Sequence, residues 1–67
     1  MENLNKLIGE RIAKLRKENH MTQAMLAEKL NISVRHCSAI ECGTARLSIE
    51  KLIEVSDLFH VTLDYLI

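Results

Sequence analysis

Apolar residues recur at three- and four-residue intervals along almost the whole chain, and strand-like alternation is nowhere sustained. That periodicity restricts the chain to amphipathic helices sharing one core. Leu4, Leu7, Ile8, Ile12 and Leu15 form one stripe, with Lys14, Lys17 and Glu18 off it, which predicts a first helix over about residues 4–18. Thr22 stands where it would cap a second helix, from Gln23 to Leu30, buried through Leu26, Ala27 and Leu30. Ser33 would cap a third, Val34 to Cys42, facing inward through Cys37 and Ile40, with Gly43 closing it. Ser48 starts a fourth along Ile49, Leu52, Ile53 and Leu58 or Phe59, and Thr62 opens a short last turn from Leu63 to Ile67. The expectation is an all-α, compact five-helix domain spanning 1–67, with no internal repeat. His20, Asn31, Gly43 and His60 each come directly after a predicted helix, where a left-handed residue commonly ends the element. The two histidines therefore read as helix terminators rather than ligands.

Size and composition remove several functions. A chain of 67 residues buries roughly 60% of its unfolded surface, too little to enclose a substrate pocket of several hundred Å³, which argues against an enzyme. With one Phe, one Tyr and no Trp there is no aromatic platform for stacking single-stranded bases. No apolar run approaches the roughly 20 residues of a membrane span, and Met1 to Lys6 lacks the pattern of a secretory signal. Cys37 and Cys42 would lie on different faces of one helix, about 7.5 Å apart along its axis, too far to bridge. A reduced, cytoplasmic protein is expected. Without CxxC or HxxxH spacing no metal site is expected; no cofactor or small-molecule substrate is evident either. Cys37 reads as a small core residue and Cys42 as a free surface thiol, with a redox role for Cys42 left open.

Residues 23–42, QAMLAEKLNISVRHCSAIEC, meet the requirements of a helix-turn-helix together. Ala27 is small where the two helices must cross closely, and Asn31 tolerates the left-handed turn. Leu26, Leu30, Ile32, Cys37 and Ile40 are apolar at the packing positions.

From about Ile8 to Leu66 the chain resembles the phage repressor/Cro-like (XRE-like) family of helix-turn-helix DNA-binding domains. The likeness rests on RIAKLRKENHMTQAMLAEKL, on SAIECG and on LSIEKLIEVSDLFHVTLDYL. It implies the family's five-helix, lambda-repressor-like fold and sequence-specific binding of double-stranded DNA through the major groove. His20, Asn31 and His60 depart from the family's usual glycines, Leu47 from a common proline, and Cys37 from a common Ile or Val. Met25 replaces a frequent Glu, which removes the expected reciprocal half of a capping box at Thr22.

The resemblance also implies a set of DNA-facing residues. With Cys37, Ile40 and Glu41 turned inward, the third helix would offer Val34, Arg35, Ser38 and Ala39 to the groove. Arg35 suits a guanine edge, since a guanidinium can bond O6 and N7 together; a phosphate contact is its alternative. Val34 and Ala39 carry methyl groups suited to thymine, and Ser38 specifies little. Gln23 matches a family glutamine that bonds a phosphate beside the second helix's amides. Ser33, His36, Thr44 and Arg46 are further backbone neighbours. Arg16 and Glu41 match an internal ion pair between the first and third helices.

One such domain covers about half an operator, so a homodimer on a pseudo-palindrome is expected. Its surface is expected at the C-terminal segment, where Val61, Leu63, Tyr65, Leu66 and Ile67 exceed what two turns can bury. A repressor is favoured, because no activation surface is evident. The alternative is a protein-interaction module, antirepressor or antitoxin-like, using the same fold. The formal charge is zero, nine basic against nine acidic residues. It divides into eight basic and five acidic in 1–47, and one basic and four acidic in 48–67. The motif lies in the basic part, and a modest affinity per copy is expected.

Overall fold

The computed structural model describes residues 3–67; of the expected 1–67 domain, Met1 and Glu2 lie outside the described residues. Five helices run in order: α1 (Leu4–Glu18), α2 (Gln23–Leu30), α3 (Val34–Cys42), α4 (Ile49–Phe59) and α5 (Leu63–Leu66). Each begins with a polar cap whose oxygen accepts from a first-turn amide. Asn3 accepts from Asn5, Thr22 from Met25, Ser33 from His36, Ser48 from Lys51 and Thr62 from Tyr65.

One device ends the first four helices. His20, Asn31, Gly43 and His60 are left-handed, with φ of 57°, 57°, 80° and 56°. The next residue then turns its N–H back onto a carbonyl of the preceding turn: Met21 to Arg16, Ile32 to Ala27, Thr44 to Ala39 and Val61 to Ser56, each at 2.9–3.0 Å. Side chains are tolerated at three of these positions. At Gly43 they are not, because an added Cβ would stand 2.7 Å from the Lys6 Cα.

The core is Ile12, Leu15, Leu26, Ala27, Leu30, Cys37, Ile40, Leu52, Val55 and Leu66. α1 crosses α3 closely at Gly9, where a Cβ would lie 2.1 Å from the Ile40 carbonyl oxygen. Two expected stripes need correction. α4 buries Leu52, Val55 and Ser56, while Ile49 and Ile53 stay 60% and 45% exposed. Turned this way the helix packs against α2 and α5, which leaves Ile49 and Ile53 on the outer flank. In α1, Leu4 is exposed beyond the edge of the core.

The capping box at Thr22 is also complete, contrary to expectation. The Met25 sulfur accepts from the Thr22 amide at 3.5 Å, so a weak thioether acceptor occupies the carboxylate's place. Cys37 and Cys42 are free thiols, the first buried and the second exposed.

Candidate nucleic-acid interface

The two helices of the motif meet through side chains withdrawn from water: Leu26, Ala27 and Leu30 from α2, Cys37 and Ile40 from α3. Half-buried Ile32 seals the turn between them. Between Leu30 and Val34 there is room only for the left-handed Asn31, Ile32 and the cap Ser33. Such a turn sets α3 at a steep angle to α2. With its inner face in the core, α3 exposes Val34, Arg35 and His36 in its first turn, and half-buries Ser38 and Ala39 behind them.

The inner end of α3 is fixed by charge. Arg16 donates to Glu41 through Nε to Oε2 at 2.7 Å and through Nη2 to Oε1 at 3.0 Å, a bidentate pair. Its Nη1 also donates to the Met21 carbonyl at 2.8 Å. The two side chains are only 11% and 6% exposed. Hydrogen bonding to Glu41 raises the Arg16 pKa above its ordinary value, against a smaller opposing effect of burial. Burial pushes the neighbouring Cys37 thiol up as well, reinforced by Glu41, so it stays protonated and unreactive near neutral pH.

The other proposed contact residues fall at three places. Ser33 and His36 stand with Arg35 at the head of α3. The Ser33 oxygen accepts from the His36 amide at 3.0 Å, which leaves its own proton free to donate outward. Thr44 and Arg46 are exposed beyond the other end of the helix, but the Thr44 hydroxyl already donates to the Ala39 carbonyl at 3.2 Å. Gln23 heads α2 and is half-buried; its Nε2 donates to Glu41 Oε1 at 3.0 Å.

Three polar links were not foreseen from the sequence. Gln23 joins the Arg16–Glu41 pair. Lys51 reaches from α4 to the Leu30 carbonyl, closing the C-terminal end of α2. Arg11 donates to the Leu66 carbonyl at 3.3 Å and to the Ile67 carbonyl at 2.8 Å, tying the chain's last turn to α1. A sequence signal existed for Arg11: α5 has no basic residue in its last turn, so its carbonyls need a donor from elsewhere. With Arg11 and Arg16 committed internally, the exposed cations in the part of the chain that holds the motif are Lys6, Lys14, Lys17, Lys29, Arg35 and Arg46. Among the described residues no three His, Cys, Asp or Glu converge as metal ligands, and no helix is long and apolar enough to cross a membrane.

Two helices joined by a three-residue turn, with the second presenting an exposed outer face, define a helix-turn-helix domain. A family model described as helix-turn-helix matches residues 12–66, and the chain belongs to that family. It is 34% identical over 61 residues to the uncharacterized HTH-type transcriptional regulator YqaE of Bacillus subtilis, covering 91% of this chain and 53% of that protein. It is 32% identical over 59 residues to the cryptic phage CTXphi transcriptional repressor RstR of Vibrio cholerae, covering 88% of this chain and 53% of that one. The chain thus spans about half the length of the curated relatives it matches. Among solved structures the clp gene regulator ClgR of C. glutamicum superposes with a TM-score of 0.86, over 98% of this chain and 86% of that one, at 23% identity. That likeness concerns the fold.

Proposed function

We propose that this chain is the DNA-binding part of a transcriptional regulator that reads double-stranded DNA by laying α3 in the major groove. The observation that carries the reading is the division of α3. Its inner face is held by the core and by the partly buried Arg16–Glu41 pair, while Arg35 and its neighbours stand outward with no ion-pair partner among the described residues. A rigid helix with one free guanidinium in its first turn has the form needed to bond a guanine edge. Ser33, His36, Thr44 and Arg46 lie around it as backbone contacts, and Val34, Ser38 and Ala39 as base neighbours. Family membership supports a regulator, and the likeness to the transcriptional repressor RstR favours a repressor. Free thiols at Cys37 and Cys42 suit the cytoplasm, where such DNA is found.

Six exposed cations, spread over several faces of one small domain, make a modest grip on phosphates, so the working form is a homodimer on a pseudo-palindromic operator. The self-association surface is redrawn from the sequence expectation. Leu66 is fully buried and Val61 and Leu63 pack against the core, which leaves Tyr65 and Ile67 from that segment. They are joined on the exterior by Leu4, Ile49 and Ile53, all at least 41% exposed. Leu4, Ile49 and Ile67 line one groove with half-buried Ile8 and Leu47. A second copy covering this apolar face fits its chemistry better than water does.

Selection of bound sequences from a random duplex pool tests the reading. Enrichment of a site with two inverted halves about one helical turn apart is expected. Failure to enrich any sequence would favour a protein-interaction module on the same fold. Sedimentation of Ile53→Glu beside the unchanged chain tests the dimer surface, with weaker self-association expected for the variant.

A further inference from the structure

Glu41 sits on the protein side of α3, yet its carboxylate does more than receive Arg16. Oε1 accepts two hydrogen bonds at 3.0 Å, one from Arg16 Nη2 and one from Gln23 Nε2. Three segments thereby meet at one carboxylate, α1 through Arg16, the head of α2 through Gln23 and the tail of α3 through Glu41 itself, and Arg16 Nη1 ties in the α1–α2 connection by donating to the Met21 carbonyl.

The contact with Gln23 has a consequence for that side chain. A primary amide has two donor hydrogens and one acceptor oxygen. If the amide were reversed, its oxygen would face a carboxylate that has nothing to donate, so the negative charge of Glu41 selects a single orientation. One Nε2 hydrogen is then spent on Glu41, and the other remains available at the N-terminal end of α2. There it adds to the positive end of the helix and to first-turn amides that no intrahelical carbonyl can satisfy. The Glu41 charge would by itself repel an approaching phosphate. Arg16 neutralises it through two hydrogen bonds, and Glu41 is 6% exposed.

We infer that Glu41 is a positioning residue for DNA binding: its Oε1 holds the Gln23 amide so that the second Nε2 hydrogen meets a DNA phosphate. This rests on the DNA-binding reading above. It links the two contact regions, because the ion pair that fixes α3 for the bases also aims the clamp at the head of α2. A donor already oriented loses less rotational freedom on binding than a free glutamine would.

The test is a double-mutant cycle in affinity for the duplex recovered by selection, at one fixed salt concentration. It uses Gln23→Ala, Glu41→Gln and the pair, at a temperature where circular dichroism finds every variant folded. Gln23→Ala is expected to weaken binding about 10-fold in the otherwise unchanged chain, and less than about 2-fold beside Glu41→Gln. Equal losses in the two backgrounds overturn the inference and leave Glu41 with stability alone. Nuclear magnetic resonance of the unchanged chain supplies a readout that needs no variant. The two Gln23 Nε2 hydrogens should give separate signals, one protected from solvent exchange and the other shifting when the duplex is added. Rapid exchange of both, as in a free glutamine, contradicts the inference. If the unchanged chain binds no duplex, the DNA-binding reading falls and this inference with it; binding with additive losses removes the inference alone.

Discussion

Gly9→Ala should destabilise the domain, although the same change in an ordinary helix interior stabilises by about 1 kcal/mol. The new Cβ would stand 2.1 Å from the Ile40 carbonyl oxygen and 3.0 Å from that of Glu41, both backbone atoms with no rotamer to yield. Carbon–oxygen contacts settle near roughly 3.3 Å, so α1 and α3 must part by about 1 Å at this crossing. Overpacking costs typically ~1–3 kcal/mol, and a contact with fixed backbone belongs at the upper end. Separation would also stretch the 2.7 Å Arg16–Glu41 contact, the next tie between the same two helices. Setting about 3 kcal/mol of strain against about 1 kcal/mol of propensity leaves a net loss of about 2 kcal/mol. For a domain of this size that lowers Tm by roughly 8–16 °C. Thermal unfolding monitored by circular dichroism checks it. An unchanged or higher Tm would refute the close crossing as the reason for glycine at this position.

The same geometry sets three further outcomes. Glu41→Gln should cost about 2–3 kcal/mol in urea unfolding, because it leaves the partly buried Arg16 guanidinium without its counter-charge; a loss under about 1 kcal/mol would mean the pair contributes as a surface one does. Met25→Glu should gain about 0.5–1 kcal/mol by putting a carboxylate in place of the thioether at the head of α2; no gain in the same assay would mean the Met25 sulfur already serves as well as a carboxylate. For Cys37 the folded pKa is raised above the ordinary value of 9.0, so above that pH the unfolded chain loses a proton that the folded chain keeps. Stability should fall as pH rises through about 9, and the fall should be smaller in Cys37→Val, by urea unfolding across the alkaline range. Identical alkaline slopes would contradict a buried neutral thiol.

Helix positions were legible because each start and stop is local chemistry. Thr22, Ser33, Ser48 and Thr62 each cap the helix that begins after them, and Asn31 and Gly43 end the helices before them through local backbone hydrogen bonds. Which flank of a helix turns inward is a tertiary matter. In α4, Ile49, Leu52 and Ile53 make as good a stripe as Leu52, Val55 and Phe59, and only packing against α2 and α5 decides between them. Gly9 could not be read as a crossing point, since nothing local to it names the helix it meets. The same holds for the polar links. Arg16 and Glu41 could be paired by resemblance, but the hydrogen bonds of Gln23 to Glu41 and of Arg11 to the last turn join residues 18 and at least 55 positions apart. On α3 the apolar spacing gives Cys37 and Ile40 as the inward residues, while the inward Glu41 and the outward set around Arg35 follow from the family resemblance.

The most direct measurement is the affinity of Arg35→Ala for the selected duplex, for duplexes with single base pairs changed in the half-site, and for an unrelated duplex. If α3 reads bases, the variant should bind the selected site about 10- to 100-fold more weakly and bind the unrelated duplex nearly as before. It should also lose discrimination at one base pair per half-site. A uniform loss across all duplexes would make Arg35 a phosphate contact, and no loss on any of them would place the working surface of this domain elsewhere.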